Sequence, residues 1–304
     1  MTESVALVGG FLAAAVRVAT PIMLAATGET ITQRSGVLNL GIEGMMLAGA
    51  LAATLGATAV GPWTGVALGI GAGMLLAAVF ALVVIGARAD QVIAGTAITL
   101  GAVGLTGTIY RQAYGAGGAG LDLPTLTTIP LPGLSSLPLL GPALFAQPAP
   151  TYLGFLAVPV VWWLLFRTRV GLALRATGES AEVARASGVP TRWVRAVATI
   201  VGGGFAGLAG ATLVLAQVGS FAERMTAGRG YVAIAIVVLG RWHPVGVAIA
   251  ALAFGAAMAL QFLFQTLELD LPYQLFLMLP YVLALLALAG MVGRVRAPAD
   301  LAKP

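Results

Sequence analysis

The sequence predicts an all-α, polytopic membrane protein, a bundle of about eight to ten transmembrane helices with broken or re-entrant segments. Three observations carry this. Of 304 residues, 59% are hydrophobic and only 9% are charged, whereas soluble domains carry about a quarter charged residues. The mean hydropathy is +0.98. The apolar residues also fall into runs near the length of about 20 that a helix needs to cross hydrocarbon. A helix satisfies its own backbone in lipid. A β-barrel would need short alternating segments, and these runs do not alternate. The 41 glycines suit close packing between helices, because small residues let backbones approach.

In chain order, the first apolar run covers residues 5–26 and is interrupted by Arg17 and Pro21. A polar stretch, TGETITQRSGVLNLGIEG, follows at residues 27–44, and an apolar run at 37–60 overlaps it. Runs at 63–85 and 92–110 are separated by a short charged turn at 88–90. Residues 111–150 are rich in Pro, Gly, Ser and Thr and read as an extramembrane loop with a short surface helix. A run at 152–166 precedes a hydrophilic segment at 167–195, and further runs lie at 196–218, 231–239 (short), 245–264 and 272–292. The whole chain, 1–304, is read as one membrane domain. Residues 1–3 carry no base ahead of the first run, unlike a cleaved signal peptide or a transit peptide.

The net charge of +5 and pI near 10.1 do not point to nucleic acid, because most basic residues lie beside apolar spans and form no stripe. They point to topology. Arg167, Arg169, Arg175, Arg185, Arg192 and Arg195 share one connection, and Arg294, Arg296 and Lys303 the tail. Cytoplasmic loops carry such an excess. Counting crossings from these puts the C-terminus in the cytoplasm, and residues 111–150 and the N-terminus outside. GPWTGVALGIGAG (61–73) is similar to RWHPVGVAIAALAFG (241–255), and the two enter the membrane from opposite sides, as inverted repeats do.

Several chemistries are excluded. The chain has no Cys, so it has no disulfide, thiolate metal site or cysteine nucleophile. A P-loop needs a lysine at the phosphates, and the only lysine is Lys303. The single histidine, His243, sits in RWHP at a turn with no second histidine for a metal and reads as a solvated or headgroup-facing residue.

Three polar clusters remain. Ionisable groups at membrane depth are costly and tend to line polar paths or to pair. In the first cluster, Gln33, Asn39 and Glu43 would offer donors and acceptors to a polar solute. Asn39 and Glu43 are spaced to share a face if that piece is helical. The competing reading makes Glu43 the cap of a helix start and Arg34 an interface marker. In the second, FAERMTAGRGY, Glu223 and Arg224 mark the outer surface, Gly228 and Gly230 suit a broken helix, and Tyr231 could stack on a planar solute. In the third, Gly178, Glu179, Ala181, Glu182, Ala184, Arg185 and Gly188 form a short helix with Ser180 as cap, Gly188 as stop and Pro190 opening the next element. Its small face of Ala181, Ala184 and Gly188 would let a partner protein dock closely.

These residues carry a resemblance. GETITQRSGVLNLGIEGMMLAGA (28–50), GLALRATGESAEVARASGVPTRWVR (171–195) and GRGYVAIAIVVLGRWHPVGVAIAALAFG (228–255) are similar to the ABC permeases of the branched-chain amino acid and simple-sugar superfamily, above all its nucleoside/simple-sugar importer branch. The resemblance implies a vitamin B12-type importer fold and the shorter of two permease subunits in a bacterial inner membrane. It implies a second permease, an ATPase subunit with two nucleotide-binding domains, and an extracytoplasmic solute-binding protein. ATP and magnesium would sit on the ATPase, and this chain would hold no cofactor. Docking would fall on residues 178–188, and transport of a nucleoside, or else a simple sugar, would run by alternating access. The alternative class is an ion-coupled secondary carrier, which lacks an intramembrane acid pair here and would leave the docking helix without a purpose.

Overall fold

A computed structural model describes residues 2–115, 123–266 and 296–303, with isolated positions 274, 278, 282, 285 and 289. Among the described residues, seven helices are long and apolar enough to cross a membrane. They belong to α1 (Thr2–Arg34), α2 (Ile42–Ala59), α3 (Pro62–Ala81), α4 (Gln91–Tyr114), α6 (Ala149–Arg167), α9 (Thr191–Thr212) and α11 (Pro244–Thr266). Between them lie α5 (Leu140–Leu144), α7 (Arg169–Glu179), α8 (Ala181–Ala186) and α10 (Arg229–Leu239), with strands β1 (Thr128–Pro130) and β2 (Ala146–Pro148). Apart from those isolated positions, the expected run at 272–292 lies outside the described residues, as does Arg294.

The chain is a polytopic helical protein, as its composition requires, but its first break falls elsewhere than expected. α1 passes through Pro21 and the first part of the polar stretch after it, residues 27–34, as one helix. Proline removes the amide that would bond the carbonyl four residues back. Here that carbonyl, of Arg17, accepts instead from the Gln217 side chain. The helix ends at Arg34, where the Ser35 hydroxyl donates to the Thr32 carbonyl at 2.6 Å and Gly36 takes a φ of +93°. Residues 35–41 then return alongside the end of α1: the Asn39 amide reaches back to Glu29.

The core is built on α9, which packs against α1, α2 and α3. Its Gly203 and Gly207 meet Gly69 and Gly73 of α3, backbone to backbone. A Cβ on Gly73 would lie 2.2 Å from the Gly203 carbonyl oxygen, and one on Gly207 2.2 Å from that of Gly69. Such approaches bring the dispersion contacts that hold helices together in lipid, where no hydrophobic force separates helix from solvent.

The bundle has two distinct ends. One collects residues 35–41, 87–90, 168–190, 240–243 and the tail. Arg34 Nε donates to the Trp242 carbonyl at 2.9 Å, the Leu38 amide to Gln91 Oε1 at 2.7 Å, and the Asp300 amide to the Gly178 carbonyl at 2.9 Å. We call it the basic end. The other carries residues 123–148 and 219–223, tied by the Leu126 amide to the Leu215 carbonyl at 2.7 Å and by the Arg111–Glu223 ion pair at 3.1 Å. The loop there has the short helix expected, α5, and adds a small antiparallel pair, β1 with β2. Tyr152 locks that pair, its hydroxyl donating to the Ile129 carbonyl and accepting from the Gln147 amide. The two similar segments open α3 at the loop end and α11 at the basic end, each at a proline, Pro62 and Pro244.

Candidate functional site

α10 is too short to span. Its 11 residues rise about 16 Å, half of a hydrocarbon core of about 30 Å. Its C-terminal turn lies at the basic end, so its N-terminus opens at membrane depth. Gly228 reaches that start in the left-handed region, φ +83°, which a β-carbon disfavours. The helix start presents unpaired amides and a partial positive charge, and Glu43 of α2 meets it. Glu43 Oε1 accepts from the Gly228 amide at 2.8 Å and Oε2 from the Gly230 amide at 2.7 Å. Glu43 thus caps a helix, though α10 rather than its own. Next to Gly230, Tyr231 stands 41% exposed.

Nearer the basic end, a buried polar chain joins α1 to the α10–α11 turn. Glu29 Oε1 accepts from Gln33 Nε2 at 3.0 Å and from the Asn39 amide at 3.1 Å. Gln33 Oε1 accepts from Trp242 Nε1 at 2.7 Å. Asn39 Oδ1 accepts from the Gly41 amide at 3.0 Å, and its Nδ2 lies 3.2 Å from Met45 Sδ. Glu29 Oε2 is buried, with no hydrogen-bond partner among the described residues. Asn39 precedes α2, so it and Glu43 do not share a helix face, contrary to the reading of that piece as helical. Gln33 and Asn39 are fully buried and Glu43 nearly so.

A second feature faces outward from the basic end. Thr168 and Ser180 cap α7 and α8, accepting from the amides of Gly171 and Val183. α8 ends at Ala186, two residues before Gly188, φ +86°, and Pro190 opens α9. Between α7 and α8 runs an apolar groove of about 780 Å³, floored by Ala173, Ala176 and Ala184 and rimmed by Leu172, Glu179 and Val183. Leu172 and Val183 are 61% and 65% exposed.

The small residues expected to form one open face are divided. Gly178 is buried on α1, where a Cβ would lie 2.2 Å from the Arg34 carbonyl oxygen. Ala181 turns to the tail, its amide donating to Asp300 Oδ2 at 2.8 Å. Ala184 is only 4% exposed, on the groove floor, and Gly188 is exposed past the helix end. The physical reason is that a six-residue helix buries its small side and leaves Glu182, Val183 and Arg185 outward.

A family model for the permease component of the branched-chain amino acid transport system matches residues 11–288. A guanosine ABC transporter permease of Bacillus subtilis, NupQ, is 35% identical over 92% of this chain and 91% of its own. The chain belongs to the ABC transporter permeases of this family. A nucleoside ABC transporter permease of Lactococcus lactis, NupC, is 28% identical over 92% of this chain and 91% of its own. A provisionally named glucose ABC transporter permease of Haloferax volcanii, TsgC13, is 44% identical over 86% of this chain and 80% of its own. No solved structure matches the chain.

The hydrogen-bond networks of this permease include residues that were not among the candidates read from the sequence. Glu29 lies four residues before Gln33, a spacing that places both on one face of an unbroken helix. Ending the first apolar run at residue 26 leaves the pair outside any expected helix. Trp242, Gln91 and Asp300 carried no local signal, because their partners are distant in sequence. His243 is half-buried rather than solvated and stacks on Phe166 with ring centroids 5.2 Å apart. Arg34 and Arg175 lie over the same ring, at 5.7 and 5.1 Å. Burial and then the Arg34 charge hold the His243 pKa below its ordinary value.

Proposed function

We propose that this permease is the shorter membrane subunit of a bacterial importer that moves a nucleoside by alternating access, driven by a separate ATPase. The observation that supports it best is a half-helix, α10, opening at membrane depth against Glu43, in a chain similar to nucleoside permeases along nearly its whole length. Solute sites in transporters are commonly built where a helix is broken. On this reading Gln33, Asn39, Glu43 and Tyr231 belong to the solute path. Tyr231 supplies an exposed ring for a planar base, and Glu43 holds the helix start beside it.

The basic end faces the cytoplasm, following the excess of arginine in its turns. There the α7–α8 groove, with Leu172, Glu179 and Val183 at its rim, receives the ATPase, whose two nucleotide-binding domains bind ATP and magnesium. A second permease subunit completes the path, and a solute-binding protein delivers at the loop end. ATP-driven closure pulls on α7 and α8, and Gly178, held against the end of α1, passes the movement into the bundle.

The glucose name of the 44% identical relative favours a second solute, a simple sugar. Uptake of labelled guanosine and of labelled glucose by cells expressing the assembled transporter separates the two. Guanosine uptake that unlabelled adenosine competes away, and glucose does not, is the expected result. Uptake of glucose alone would replace the nucleoside. Uptake without an ATPase partner, driven by an ion gradient, would overturn the importer reading altogether.

A further inference from the structure

At the basic end, on the other side of α8 from the groove, lies a separate cavity of about 340 Å³. Four segments bring five cations to it: Arg88 from the turn after α3, Arg185 from α8, Arg192 and Arg195 from the start of α9, and Lys303 from the tail. No acid lines it. Of the nearby carboxylates, Asp90 is engaged by the backbone amides of Val92 and Ile93, and Asp300 by the Ala181 amide and by the single lysine of the cavity, Lys303, at 3.2 Å, which leaves the four arginines in excess. Among the described residues, none of the four arginines makes an ion pair. Arg195 is only 9% exposed, and its Nε donates to the Ser35 carbonyl at 3.3 Å.

Four like charges around one cavity repel each other unless an anion offsets them. Planar guanidinium groups present paired donors that match phosphate oxygens. The cavity's level suggests where the phosphate comes from. The span Pro62–Gly86 ends just before Arg88, and the span Thr191–Val218 begins just before Arg192, so the arginines ring the boundary between hydrocarbon and water. Exposed Leu82 and Trp193, at 71% and 73%, lie on the flanking helices, and tryptophan is an interfacial residue.

We propose that this cavity binds an anionic phosphate group, supplied by a phospholipid headgroup of the adjoining leaflet. The bound group ties α8 and the tail to the starts of α4 and α9, the elements that line the cavity.

The test uses the full-length chain purified in detergent and titrated with phosphatidylglycerol, phosphatidylcholine or inorganic phosphate. Thermal-unfolding midpoint and lipid retained in native mass spectra are the readouts. Phosphatidylglycerol should be retained and stabilising, and phosphatidylcholine neither. Arg88 and Arg192 are exposed, so Arg88→Gln with Arg192→Gln should fold. Each lost charge near an anionic surface weakens binding about fivefold, so the pair should weaken phosphatidylglycerol binding roughly thirtyfold. Arg111→Gln at the loop end should bind as the wild type does. Stabilisation by inorganic phosphate that the double variant loses, without selective lipid retention, upholds the site and makes a soluble phosphate its source. Equal lipid and phosphate responses in wild type and double variant overturn the proposal. If the double variant instead loses only a partner protein, the cavity takes that partner's acidic side chains and the proposal fails.

Discussion

Glu43 and Gly230, 187 positions apart in sequence, are joined by a 2.7 Å hydrogen bond from the Gly230 amide to a carboxylate oxygen. With the second bond from Gly228, the carboxylate takes two donors and offers none, as the start of α10 demands. Glu43→Gln keeps the size but turns an NH₂ group toward one of these amides. A buried donor left unsatisfied costs about 1–3 kcal/mol, so the variant should unfold at lower temperature. A direct role at the solute would raise KM for uptake beyond what the lost stability explains. Wild-type stability and uptake in Glu43→Gln would remove Glu43 from both roles.

The α7–α8 groove makes a contrast between adjacent residues. Val183 is 65% exposed on the rim and Ala184 4% exposed on the floor. Val183→Asp should insert and fold like the wild type yet lose the ATPase subunit on purification, since an unpaired charge pressed into an apolar contact is strongly unfavourable. Ala184→Arg should damage the chain itself as well, visible as aggregation on extraction. Normal ATPase retention by Val183→Asp would move docking to another turn of the basic end.

Two glycines separate packing from helix propensity. Gly207→Ala places its Cβ against the Gly69 carbonyl oxygen, and overpacking of this kind costs about 1–3 kcal/mol. Gly71→Ala, where nothing lies within 4 Å of the added carbon, should stabilise by up to about 1 kcal/mol through helix propensity alone. Thermal midpoints shifting in opposite directions are the expected result. A shift of the same sign in both would remove the close α3–α9 contact from the account of stability.

His243 supplies a pH dependence. Its folded pKa is below the ordinary value of 6.5, through burial first and Arg34 second. Its contribution to stability is therefore whole above the ordinary value and is lost as pH falls through the lower folded one. Wild type should lose more thermal stability than His243→Gln between about pH 7.5 and about pH 5. Asp300 titrates in a more acidic window. The Ala181 amide, then Lys303, hold its pKa below the ordinary 3.8, so its contribution is whole above that value and fades only below it. Parallel pH profiles for wild type and His243→Gln would show that the ring carries no such linkage.

The sequence by itself determined the membrane class, nearly all the described spans, the contrast between a basic and a loop end, and the family. These follow from signals within a few residues: apolar runs of spanning length, arginines clustered in one connection, Ser180 as cap, Gly188 as stop and Pro190 as start. Even α10's shortness was legible, as an apolar piece too brief to cross after Gly228 and Gly230. Only the tertiary structure decided what the polar groups do. Glu43 bonds an amide 185 positions away and Gln33 an indole 209 positions away, pairings that depend on how helices stack. Ala181 and Ala184 look alike in sequence, yet one turns to the tail and the other to the groove. Propensity and capping act along the chain, whereas burial and long-range hydrogen bonds exist only once α1, α2, α9 and α10 are packed together.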